Sequence, residues 1–162
     1  MEILTVKMIN RAAAILCAAA LLFTAGCSKP ASKTPPEPSV ITAKLQSDMK
    51  FPEMMEKNDT WLAKYYTMPS KTVKAFSVYI CSSSASADEI AVIEGNSADD
   101  ADKIKAAVQS RIDQKSAMFK NYGQPQEYTD ITNCVLETKG AYVLFAVTND
   151  STKARKIMES FF

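Results

Sequence analysis

The chain has 162 residues, 47% apolar and 23% charged, with a formal charge of +1, a composition ordinary for a globular protein. It contains no histidine, which excludes Ser-His-Asp and Cys-His catalysis, histidine-ligated zinc and histidine pH switching. A charge so close to zero gives no electrostatic reason to seek nucleic acid, and no cofactor motif stands out.

The first 26 residues read as an export signal. Lys7 and Arg11 supply a positive start, and Ala12 to Phe23 is an uninterrupted apolar run of 12 residues. A membrane-spanning helix needs roughly 20 such residues, so the run is too short to be a permanent span. It ends in Thr24-Ala25-Gly26-Cys27, the pattern of a bacterial lipoprotein signal. Small residues let an extended backbone enter a signal peptidase, and the Cys27 thiol takes the diacylglycerol and palmitate-type acyl chains. Thr24 stands where such signals more often carry leucine. The expectation is a signal peptide over residues 1–26, with Cys27 as the lipidated first residue of the mature chain. The protein would then sit on the extracytoplasmic face of the cell membrane. Lys7, Arg11 and Glu2 would leave with the signal, bringing the remaining charge to zero.

Residues 27–39 read as a tether. Four prolines with Ser, Thr and Lys between Ser28 and Ser39 cannot bury a core and favour extended conformations. Residues 40–162 are the right length for one domain.

Within that domain, Val40 to Leu45 is a weakly patterned lead-in. Asp59 to Tyr66 reads as a short helix capped by Asp59, with Trp61 and Tyr65 on one face and Leu62 and Tyr66 on another. The plain reading of these aromatics is that they dock the helix on the core; a ligand platform is the alternative. Val73 to Cys81 alternates as a strand, Ser82-Ser83-Ser84-Ala85-Ser86 is a polar loop, and Glu89 to Glu94 is a second strand. Ser97 caps a long helix over about Ala98 to Lys120, with Ala101, Ile104, Val108, Ile112 and Phe119 forming one apolar stripe. The acids at its start are explained by the helix dipole rather than by a calcium loop. Ile131 to Glu137 reads as a third strand, Tyr142 to Val147 as a fourth, and Asn149-Asp150 caps a final helix, Ser151 to Ser160.

Glu89 to Ile104 aligns without gaps on Tyr142 to Ile157, 53 residues later, and Cys81 falls on Cys134 at the same offset. Each unit reads strand, strand, cap, helix. The expected fold is therefore α+β: a two-layer ββα-ββα arrangement with a mainly antiparallel four-stranded sheet, helices packed on one face, and a short helix before it. Cys81 and Cys134 are the only cysteines beyond Cys27. Free, buried thiols are the plain expectation and a disulfide between them the alternative, acceptable outside the cytoplasm.

Ala87-Asp88-Glu89-Ile90-Ala91-Val92, Lys103-Ile104-Lys105 in the long helix, Tyr142-Val143-Leu144 leading to Asn149-Asp150, and Tyr65-Tyr66 before Met68-Pro69 resemble a family of small lipoproteins from low-GC Gram-positive bacteria, domain of unknown function 4358. The resemblance covers about Phe51 to Phe162. It implies a lipid-anchored extracytoplasmic domain and assigns no activity.

Three functions remain in view. The first is a non-enzymatic envelope module whose partners are the membrane, through its lipid, and an unidentified protein or cell-wall component. The second is a small enzyme using Asp88, Glu89, Glu94 or Glu137, which would need two of these carboxylates to converge. The third is a small-ligand receptor. The first is expected: no enzyme, no cofactor, no metal and no nucleic acid.

Overall fold

The computed structural model describes residues 34–69, 71–122 and 124–162. Cys27, the signal segment and most of the tether lie outside the described residues. In chain order the elements are α1 (Pro38–Asp48), β1 (Met54–Glu56), α2 (Asp59–Tyr66), β2 (Val73–Cys81), β3 (Glu89–Gly95), α3 (Ala98–Asn121), α4 (Pro125–Thr132), β4 (Val135–Lys139), β5 (Tyr142–Val147) and α5 (Ser151–Glu159). The class is α+β, with a five-stranded sheet in the order β1-β2-β3-β5-β4. Every neighbouring pair is antiparallel.

Two expectations about the architecture are corrected. The sheet has five strands rather than four, because Met54–Glu56 pairs with Tyr79–Cys81 at one edge. The helices cover both faces, making three layers instead of two. On the first face α2 and α3 pack Leu62, Tyr66, Ile104, Val108 and Phe119 against Val78, Ala91, Ile93, Val143 and Phe145. On the second, α1 and α5 pack Ile41, Leu45, Ala154 and Met158 against Ile90, Val92, Leu144 and Ala146.

The swap of faces follows from the register. Glu89 pairs with Val147 and Glu94 with Tyr142, and directly opposed residues share a face. Ile90 and its counterpart 53 positions on, Val143, therefore look to opposite sides. The two ββα units are alike locally, but their helices leave β3 and β5 toward opposite faces.

Other boundaries moved for identifiable reasons. The helix α1 starts at Pro38, inside the expected tether, because proline is well tolerated in the first turn where no N–H partner is needed. Its entry is held by the Tyr142 hydroxyl, which donates to the Pro36 carbonyl at 3.3 Å. Pro125 opens α4 in the same way, so Ile131 lies within a helix and the strand begins at Val135. Asn58 caps α2 in place of Asp59, its Oδ1 accepting from the Trp61 N–H at 3.0 Å. Ser97 and Asp150 cap α3 and α5 as expected.

Cys81 and Cys134 are free thiols. They stand at the end of β2 and immediately before β4, three strand spacings apart in the sheet order, which is roughly 14 Å. A bridge needs Cα atoms within about 7 Å, so the structure holds no disulfide between them.

Candidate functional site

Glu89 is the first residue of β3 and is fully buried on the first face. A bare carboxylate there would be prohibitive, and four donors surround it. The Tyr66 hydroxyl donates to Oε1 at 2.7 Å. Arg111 Nε donates to Oε1 at 3.2 Å and a terminal guanidinium nitrogen to Oε2 at 2.9 Å. Lys115 Nζ donates to Oε2 at 2.7 Å and also to the Ala87 carbonyl. One turn of α3 separates Arg111 from Lys115, so both reach the same end of the same strand. The short helix α2 brings Tyr66 from above.

The charges settle accordingly. Burial pushes Glu89 up, but Lys115 and Arg111 outweigh it and hold the carboxyl below its ordinary value. Burial, with Glu89 alongside, pushes the Tyr66 phenol well above its ordinary value. Burial pulls the Lys115 ammonium down against the opposing effect of Glu89. For Arg111, burial acts downward but Glu89 prevails and the guanidinium is raised.

The aromatics of α2 complete the assembly. The Trp61 and Tyr65 ring centroids are 4.7 Å apart, and the Arg111 guanidinium lies 5.4 Å from the first and 5.6 Å from the second. Such cation–π contacts hold a guanidinium in place without consuming its N–H groups. Tyr66 is buried as a dock for the helix, whereas Tyr65 remains 37% exposed.

Beside this assembly is a cleft of about 410 Å³ between the β2–β3 loop and the C-terminal half of α3. Its walls include Ser83, Ser86, Asp88, Arg111, Met118 and Tyr122. Tyr122 is 70% exposed at the rim. The serine run expected to be a loop is therefore one lip of a cleft. Ser86 is engaged locally, donating to Asp88 Oδ2 and accepting from the Asp88 N–H at 3.1 Å, and burial raises the Asp88 carboxyl.

The four carboxylates considered from the sequence do not converge. Glu94 is at the other end of β3 on the opposite face, bonded to Lys74 Nζ at 2.7 Å. Glu137 is on β4, paired with Arg155 and 3.7 Å from Lys139. Only Asp88 and Glu89 are neighbours, and Glu89 is enclosed by donors. Among the described residues no three His, Cys, Asp or Glu side chains gather as a metal site, and no helix is long and apolar enough to cross a membrane.

No motif in the sequence marks Arg111 and Lys115 as site residues. A signal for Lys115 was present: the apolar stripe of α3 passes from Ile112 to Phe119, and the vacant position between them on the same face is Lys115. A lysine inside an apolar stripe calls for a buried partner.

The family described as Domain of unknown function (DUF4358) matches residues 47–148. The chain belongs to this family. The matched segment contains all five strands and the whole Glu89 assembly. No curated protein and no solved structure matches the chain.

Proposed function

We propose that this protein is a membrane-anchored extracytoplasmic lipoprotein, and that its folded part is a non-enzymatic binding module of the cell envelope for a protein, peptide or cell-wall component. Anchoring rests on the Leu21-to-Cys27 pattern. Recognition is assigned to the cleft beside Arg111. The observation that carries binding over catalysis is the enclosure of Glu89. Its oxygens are taken by Tyr66, Arg111 and Lys115, so the carboxylate is fixed as a brace and is not free to carry a proton to a substrate. Arg111 is held by that brace and by two aromatic rings, yet it forms part of the cleft wall. A guanidinium fixed in this way is a preorganised donor for a polar partner. The cleft is also within the size range of small-ligand pockets, which supports a soluble ligand as the second reading.

Pro36 is held by Tyr142, so eight residues separate it from Cys27, a reach of about 30 Å at full extension. The test has two arms. Cells expressing the full chain are labelled with a palmitate analogue and extracted by detergent partition. The wild type should carry label and enter the detergent phase, and Cys27→Ala should do neither; a labelled variant would refute the anchor. A photocrosslinking residue at Tyr122 in the lipidated protein should give a reproducible adduct that a crosslinker at Lys105 does not. Identical adduct patterns at both positions would refute the cleft as the recognition site.

A further inference from the structure

The strand β2 has nine residues, but β1 covers only its last three, Tyr79 to Cys81. The chain then leaves the sheet: the Lys57 N–H donates to the Val78 carbonyl at 2.8 Å as the final rung, and α2 begins at Asp59. Residues 73 to 77 consequently form an open sheet edge. In an antiparallel ladder successive residues direct their main-chain groups to alternate sides. The Cys81 N–H bonds toward β3 at the Asp88 carbonyl, and the Val78 carbonyl bonds toward β1. By that alternation Phe76 points its N–H and C=O outward, where neither has a backbone partner among the described residues.

Alongside this edge runs a groove of about 520 Å³ between β2 and α2, walled by Leu62, Ala63, Met68, Pro69, Val73 and Phe76. The irregular step in register between Val73 and Ala75 skips Lys74. Such a bulge lets Val73 and Phe76 face the same side, and both pack against the first core at the groove floor.

An unpaired rung beside an apolar trough defines its occupant more narrowly than a trough alone. Main-chain donors and acceptors at strand spacing are matched by another extended backbone, and alternate side chains of that backbone would enter the groove. Lys71 stands at one end of the open stretch and Glu56 and Lys57 at the other, while Asp59 and Lys74 are on its wall, the latter bonded to Glu94. With the lysines matched by acids along the edge, its main-chain groups and apolar floor, not its charge, select the incoming chain. We propose that the open edge of β2 is a second binding site, distinct from the Arg111 cleft, which takes an extended peptide segment of another protein as an added strand in line with β1. The segment carries apolar residues at alternate positions.

The test pans a displayed library of random linear peptides against the full chain and synthesises the enriched sequence. Binding should slow hydrogen exchange at the Phe76 N–H. N-methylation of the peptide amide that meets the Phe76 carbonyl should weaken binding by roughly tenfold, the loss of one main-chain hydrogen bond together with the partner left bare. Ala63 is exposed on α2, so Ala63→Trp can fill the groove without entering the core. It should abolish binding while leaving the denaturation midpoint within error. Failure to enrich any peptide, unchanged affinity after N-methylation, or undiminished binding by Ala63→Trp would each overturn the proposal. Protection confined to Ser83–Ser86 would overturn it too, while favouring the cleft.

Discussion

The hydroxyl of Tyr66 lies 2.7 Å from Oε1 of Glu89, joining a short helix to the middle strand of the sheet at a point where neither residue meets solvent. Tyr66→Phe removes this donor and nothing else of size. Arg111 and Lys115 still hold the carboxylate, so the expected loss is about 1–2 kcal/mol, read from urea denaturation. A loss within error would mean that the phenol is not a structural link.

Glu89→Gln keeps the shape and removes the charge. Arg111 and Lys115 then face each other without a counter-ion inside the core, and the expected destabilisation is about 3–5 kcal/mol. The pH dependence distinguishes this from a packing defect. The folded value of Glu89 is depressed, so its contribution is fully present above the ordinary carboxylate value, about 4.3. That contribution is lost as pH falls through the folded value. Wild-type stability should therefore decline on acidification more steeply than that of Glu89→Gln, and the two curves should converge at low pH. Parallel curves would contradict the assignment.

Both thiols of the folded part are free, and burial raises the Cys134 thiol above its ordinary value. Dithiothreitol should leave the denaturation midpoint unchanged. A thiol reagent should modify Cys81 and Cys134 slowly in the native protein and quickly in urea. A midpoint lowered by reductant would require a bridge that this geometry does not allow.

Gly140 turns β4 into β5 with φ of +60°, and a Cβ there would meet nothing within 4 Å. The cost of Gly140→Ala should thus be conformational, about 1 kcal/mol. Gly140→Asn should lose less than half of that, because asparagine enters the left-handed region more readily. Thermal denaturation of the two variants side by side checks the order.

The strands β2, β3 and β5 and the helix α3 were readable because each carries its own period: alternation in Val73–Cys81, an apolar run in Tyr142–Val147, and a stripe from Ala101 to Phe119. What escaped were elements whose signal was masked by a residue type. Prolines at Pro38 and Pro125 look like tether or breaker until it is known that they sit in a first helical turn. The edge strand β1 has three residues, too few for a period. Layering was hidden for a different reason, since the face to which each helix turns depends on the pairing of Glu89 with Val147, a register set between segments. The same holds for the site. In the sequence Glu89 is an acid on a strand, but its partners lie 23, 22 and 26 positions away, and only the fold brings them to it.

The two helices of the second face fall outside the span that defines the family. All but the last two residues of α1 precede residue 47, and the whole of α5 follows residue 148. Ile41 and Leu45 are nonetheless at 0% exposure, as are Ala154 and Met158. A fully buried Ile or Leu contributes about 1.5–3 kcal/mol. Cutting the gene at the family boundaries would therefore yield a sheet dressed on one side and bare on the other, with Ile90, Val92, Leu144 and Ala146 open to water. Such a fragment should aggregate on expression, whereas one that keeps Pro38 to Glu159 retains the cover on both faces.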